Sequence, residues 1–117
     1  MRKSPPEIAL ASLGELEASR ETIAAEAFAN RAAQTVRQYI AERFGLVAPR
    51  RTTEEFLATL AKSEGALLAG ESDHLRVFLK SCDLAKFAGS NLNATQRGEL
   101  IDAARNFIRS TSTAATP

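Results

Sequence analysis

The segment from Arg37 to Phe56 reads R-Q-Y-I-A-E-R-F-G-L-V-A-P-R-R-T-T-E-E-F and carries signals for a helix end, a stiff linker and a new helix start. Gly45 stands where a chain leaving a helix often needs a left-handed residue, and Pro49 prevents the helix from continuing. Thr52 and Glu55, three residues apart, form a capping box for the next helix. The segment therefore predicts a helix–linker–helix unit, although it indicates no chemistry.

The composition of the chain favours helices over strands. Its 117 residues match the length of one domain. The hydrophobic fraction is an ordinary 44%, but only 6% of the residues are aromatic. Alanine and leucine dominate, and they lose little conformational freedom in a helix, whereas strands prefer β-branched residues. The sequence therefore predicts an all-α, compact bundle of about five helices.

Capping residues and apolar spacings of three and four residues delimit the expected helices. Ser4 caps the first helix, Ser72 the fourth, and Asn93 the fifth. The expected helices cover about 5–18, 20–44, 53–62, 73–88 and 94–109. The first two could also be continuous, because residues 20–29 contain no helix breaker. Residues 1–109 are thus predicted to form a single α-helical domain. Residues 110–117 are small and polar, and we predict a disordered tail there.

Charge and cysteine content narrow the class of partner. Fifteen basic and fourteen acidic residues leave a net charge of +1, whereas proteins that bind nucleic acid or anionic lipid usually carry a clear basic excess. The single cysteine cannot form an internal disulfide, which favours a reducing, cytoplasmic compartment. No apolar run approaches the roughly 18 to 20 residues needed to span a bilayer.

Candidate catalytic groups are few. His74, beside Asp73, could act as a general base, but no nucleophile follows at a suitable spacing. Cys82 lies on the apolar stripe of the fourth helix, where a buried structural thiol is expected. Glu54 and Glu55 point about 100° apart on a helix and better fit the positive end of its dipole. We therefore predict a non-enzymatic protein with no catalytic residue, no cofactor and no metal site.

Two groups of residues are candidates for contacts. Asp83 and Lys86, three apart within an apolar stretch, are expected to be structural, with at least one of them mostly buried and bonded to a neighbouring helix. Thr52 and Glu55 are structural as the capping pair. The candidate partner contacts are the arginines of the helix–linker–helix unit and the apolar residues of two loops: Arg37, Arg43, Arg50, Arg51, Leu46, Val47, Leu67 and Leu68.

Four phrases of the sequence carry a family resemblance. They are Val36–Leu46, Arg51–Leu57, Leu75–Ala88 and the A-x-x-F-I helix at Ala104–Ile108. Together they resemble the cytoplasmic helical domain of uncharacterised bacterial membrane proteins related to the BatD C-terminal region, over roughly residues 8–110. The resemblance implies a membrane anchor in a segment that this chain lacks, and no enzymatic activity. It also implies MoxR-type AAA+ ATPases and von Willebrand A-domain proteins as partners.

We therefore expect a helical interaction or scaffold domain at the cytoplasmic face of a bacterial inner membrane. The alternative is a small helical nucleic-acid-binding module that uses Arg37, Arg43, Arg50 and Arg51. The near-neutral charge and the acidic Glu54–Glu55 pair beside these arginines weigh against that alternative.

Overall fold

The computed structural model describes residues 4–19, 21–44, 52–61, 69–87 and 93–114. Within these ranges the chain forms five α-helices and no strand, which confirms the predicted all-α class. The helices are α1 (Pro5–Ala18), α2 (Ala25–Phe44), α3 (Thr53–Ala61), α4 (Ala69–Phe87) and α5 (Ala94–Ala114).

Helices α1 and α2 are separate. The Ser4 backbone N–H and hydroxyl donate to the Glu7 carboxylate at 3.2 and 2.9 Å, so α1 begins at the expected cap. After α1, the Thr22 backbone N–H donates to the Ser19 carbonyl at 3.0 Å and closes a turn. Helix α2 then begins at Ala25, so the expected start near residue 20 is too early. Residues 20–24 contain no helix breaker, and local sequence did not reveal this turn.

The capping pairs of α3 and α5 have the geometry that their spacing predicts. The Glu55 N–H donates to the Thr52 hydroxyl at 3.2 Å, and the Thr52 N–H donates to the Glu55 carboxylate at 3.3 Å. At α5, the Gln96 N–H donates to the Asn93 side-chain oxygen at 2.8 Å, and the Asn93 N–H donates back at 2.9 Å. These reciprocal bonds satisfy backbone donors that the first helical turn leaves without a partner.

Two further helix boundaries differ from the expected ones. Helix α4 begins at Ala69, so Ser72 lies inside the helix rather than at its cap. Helix α5 continues past residue 109 to Ala114. The reason is tertiary, because the buried Thr111 hydroxyl lies 2.6 Å from the Tyr39 hydroxyl of α2. Residues 115–117 lie outside the described residues.

The core forms around α2, which packs against α1, α4 and α5, while α3 packs on α4. Each helix contributes an apolar stripe to a continuous cluster of buried side chains. The largest fully buried members are Leu13, Leu16, Phe28, Val36, Tyr39, Ile40, Leu75, Leu79, Cys82, Ile101 and Ile108. The stripes predicted from the three- and four-residue spacing in α2, α4 and α5 are the ones that the bundle buries.

We expect Gly14→Ala to stabilise the protein. Gly14 lies inside α1, and a methyl group added there meets no atom within 4 Å. Alanine restricts the unfolded chain and has the higher helix propensity, so the free energy of unfolding should rise by about 0.5 to 1 kcal/mol. Urea denaturation measures the change. Gly98→Ala in α5 is a matched second test, since it also meets open space. A loss of stability in both variants would contradict the helical placement of these glycines.

Candidate functional site

Most of the candidate contact residues lie outside the described residues. They are Leu46, Val47, Arg50, Arg51, Leu67 and Leu68. Arg43 is described and is half-buried in the last turn of α2. The role of the two loops in binding a partner therefore stays a prediction.

Arg37 belongs to a polar junction between three helices. Its Nη2 donates to the Thr53 hydroxyl at 2.9 Å, and that hydroxyl donates to Asp83 Oδ2 at 2.7 Å. The guanidinium carbon also lies 5.9 Å from the centre of the Phe56 ring, within the range of a cation–π contact. Arg37, Thr53 and Asp83, here called the Thr53 junction, thus connect α2, α3 and α4.

The Thr53 junction has the features of a structural element. Thr53 is buried, and Arg37 and Asp83 are partly buried, so their charges are shielded from much of the solvent. Asp83 bonds to the neighbouring helix α3, as predicted, but it is partly rather than mostly buried. The side chain of Lys86 lies outside the described residues. Because Arg37 points into this junction, it contributes less to an external basic patch than the sequence predicted.

Cys82 and His74 do not meet. They are eight residues apart on α4, which corresponds to about 12 Å along the helix axis. Cys82 is buried, and burial raises the pKa of its thiol to about 12, with the Asp83 charge adding to the effect and the Arg37 charge opposing it. His74 is exposed on the surface of α4. A buried, protonated thiol is a poor nucleophile, so this pair has neither the geometry nor the ionisation of a catalytic dyad.

Glu54 and Glu55 also serve different partners. Lys80 on α4 bonds to the Glu54 carboxylate, and Arg76 lies 4.0 Å from it. The hydrogen bond and charge of Lys80 lower the pKa of Glu54, so this carboxylate stays ionised. Glu55 instead closes the capping box with Thr52. The two acidic residues do not form a paired-carboxylate site.

A groove of about 750 Å³ runs between α4 and α5 on the surface of the bundle. Phe78 and Phe107, both buried, contribute to its apolar lining. The other described lining residues are His74, Val77 and Ser81 from α4, and Gln96, Glu99, Leu100, Ala103, Asn106 and Ser110 from α5. We call this surface the α4–α5 groove. A second groove, between α1 and α2, is smaller, about 370 Å³, and includes charged Arg31 and Glu42.

The α4–α5 groove combines exposed apolar side chains with little charge. Val77 lines it with 65% of its surface exposed, and Leu84, seven residues further along α4, is 68% exposed. Charged residues make up 25% of the chain, but Glu99 is the only aspartate, glutamate, lysine or arginine among the described residues that line the groove. Depletion of charge around apolar residues is typical of the centre of protein interfaces. This groove is the candidate functional site.

The sequence contains a signal for this groove in two rows of residues at seven-residue spacing. Val77 and Leu84 are apolar and seven residues apart, yet they lie off the stripe of α4 that packs into the core. On α5, Gln96, Ala103 and Ser110 repeat the same seven-residue spacing. Two such rows indicate a second helix face, but only the packing of α4 beside α5 brings them together.

The comparisons with known proteins leave the family open: no family model, curated protein or solved structure matches this chain. None of the helices within the described ranges combines the length and apolar character needed to cross a bilayer. The same ranges contain no cluster of three or more histidine, cysteine, aspartate or glutamate side chains placed to hold a metal ion. The resemblance to the BatD-related domain stays a prediction.

The Thr53 junction should contribute measurably to stability. Thr53→Val removes the hydroxyl that links Arg37 to Asp83, and we expect a loss of about 1.5 to 3 kcal/mol, the range for hydrogen bonds to charged groups. Asp83→Asn keeps an acceptor for Thr53 and should lose less, about 1 kcal/mol. Urea denaturation measures both. Gln38→Ala, at an exposed position of α2, is the control and should leave the midpoint close to that of the parent. An Asp83→Asn variant as stable as the parent would contradict the structural role of Asp83.

The raised pKa of Cys82 predicts a specific dependence of stability on pH. An unfolded cysteine ionises near about 8.5, whereas the folded thiol stays protonated to about 12. Between these values the unfolded state binds fewer protons, so stability is complete below about pH 8.5 and falls as pH rises, by up to about 1.4 kcal/mol per unit. Urea denaturation between pH 8 and 11 tests this. Cys82→Ala should remove that part of the slope, and identical slopes would contradict it.

Proposed function

We propose that this protein is a non-enzymatic helical interaction domain that binds a protein partner through the α4–α5 groove. The observation that carries the proposal is the exposure of Val77 in a groove whose described lining includes one charged residue, with the exposed Leu84 seven residues further along α4. Full burial of a valine or leucine side chain is worth about 1.5 to 3 kcal/mol, so a partner that covers Val77 and Leu84 gains substantially. Apolar residues scattered singly on a surface need no such explanation, whereas an exposed one inside a groove is a candidate contact.

The states of the candidate catalytic groups support the non-enzymatic part of the proposal. The Cys82 thiol is buried, and its pKa is raised to about 12. Glu54 is paired with Lys80, and Glu55 caps α3. Asp83 accepts a bond from Thr53 within the bundle. Cys82, Glu54, Glu55 and Asp83 are thus accounted for by burial or by structural partners.

The narrower form of the proposal rests on the resemblance stated above. In that form the chain is the cytoplasmic part of a bacterial inner-membrane protein, and its partner is a MoxR-type ATPase or a von Willebrand A-domain protein. The support for it is the set of phrases from Val36 to Ile108 that the chain shares with the BatD-related domain. Purified ATPase and A-domain proteins from the same organism are therefore the first partners to titrate.

Val77→Asp and Leu84→Asp should each weaken partner binding by roughly tenfold or more, because each removes an apolar contact and adds a charge that the interface must desolvate. Both side chains are largely exposed, so the urea midpoint should change little. Calorimetric titration with the candidate partners measures affinity. Asn30→Asp, at an exposed position of α2, is the matched control and should bind like the parent. Equal binding by all four proteins would contradict the groove as the interface.

A nucleic-acid-binding module makes a different prediction. Binding to a generic DNA duplex should then weaken steeply between about 50 and 200 mM salt, in proportion to the phosphates neutralised. We expect no binding at the lower salt concentration. Salt-sensitive binding at micromolar protein, lost on substitution of Arg43, Arg50 and Arg51, would replace the protein-interaction proposal.

A further inference from the structure

The chemistry of the α4–α5 groove narrows the kind of partner that fits it. Both walls of the groove are helices, of 19 and 21 residues. Lining residues on both walls recur at alternating spacings of three and four. These rows are 74, 77, 81 on α4 and 96, 99, 103, 106, 110 on α5, and the other lining residues lie beside them. Rows with this spacing are the ridges between which a third helix packs, at a small crossing angle. The geometry therefore suits a helix better than an extended peptide.

The length and surface of the groove define the bound segment. From Gln96 to Ser110 the α5 wall spans 14 residues, or about 21 Å at the helical rise. A helix of about four turns covers that distance. Its contact face must be apolar to pack on Val77, Leu100 and Phe107, and small or uncharged opposite Ala103. A helix of this kind presents anchors at i, i+3 or i+4 and i+7, the pattern of helix-in-groove recognition.

Glu99 sets the charge of the partner. It is exposed and lies one turn from the Gln96 end of the α5 wall. Among the described residues, no lysine or arginine nitrogen lies within salt-bridge distance of its carboxylate. A helix that covers the groove takes water away from this carboxylate, and leaving it without a counter-charge is costly. A lysine or arginine near one end of the bound helix removes that cost.

The same charge argues against a second copy of this chain as the occupant. Among the described residues that line the groove there is no lysine or arginine, and the one histidine is His74. Two copies that pack groove to groove therefore place two Glu99 carboxylates in one interface without a lysine or arginine from the lining to balance them. A partner of complementary charge does not meet this repulsion.

Resting on the proposed function, we infer that the α4–α5 groove binds an amphipathic helix of another protein. This helix has about four turns, an apolar stripe and a lysine or arginine near one end that pairs with Glu99. Glu99 is then the residue that selects among helices of similar apolar pattern. The apolar contacts at Val77, Leu100 and Phe107 supply affinity for all of them.

A display library of 16-residue helices tests the inference. The stripe positions vary among leucine, isoleucine, valine, methionine and alanine, and the flanking positions vary among lysine, glutamate, glutamine and serine. The library is sorted on the full chain, on Glu99→Lys and on Val77→Asp. We expect the parent to enrich lysine at one end of the stripe and Glu99→Lys to enrich glutamate at the same place. For single helices, the matched charge should bind about tenfold more tightly, since close interfacial charge pairs couple by about 1.5 kcal/mol or more.

Other outcomes separate this inference from the proposed function. If helices need Val77 to bind but select the same charges with the parent and with Glu99→Lys, the inference is overturned and the groove remains an interface. If no helix in the library binds the parent better than it binds Val77→Asp, both the inference and the proposed function are overturned. If the parent sediments as a dimer and the Val77→Asp variant as a monomer, the occupant of the groove is a second copy of this chain. That result also overturns the inference.

Discussion

The burial of one face of α2 is the constraint on which the rest of the structure depends. Phe28, Val36, Tyr39 and Ile40 are fully buried along this helix. No single neighbour can cover so long a stripe, and α2 accordingly packs against α1, α4 and α5 together. The three outer helices each turn an apolar face inward to meet it, which places their polar faces in solvent.

Polar side chains then set how the helices join. Tyr39 is fully buried, so its hydroxyl needs a partner inside the protein, and Thr111 and the Ile108 carbonyl lie 2.6 and 3.4 Å away. This contact holds the last turns of α5 against α2. Helix α3 packs on α4, and the Thr53 junction holds it there. In this junction the Thr53 hydroxyl bridges the charged side chains of Arg37 and Asp83. Arg105 and Glu17, 2.8 Å apart, connect α5 to α1.

The α4–α5 groove follows from the same arrangement. Helices α4 and α5 both pack on α2 and on each other, so their outward flanks meet in a furrow that no other described helix covers. Phe78 and Phe107 are buried there by the bundle itself, whereas Val77 in the lining, and Leu84 further along α4, are largely exposed. Folding therefore explains the buried lining of the groove but not the exposure of Val77. The proposed partner binding rests on that exposure.

The sequence by itself determined the helical class, the capping pairs of α1, α3 and α5, and the stripes that form the core. These features depend on residues three to seven positions apart, and such neighbours meet whenever a helix forms. Contacts between residues far apart in the sequence could be seen only in the folded structure. The Thr53–Asp83 bond links residues 30 apart, and the Tyr39–Thr111 contact, which extends α5, links residues 72 apart. The groove likewise needs α4 beside α5, because side-chain spacing specifies a helix face and only packing decides what that face meets.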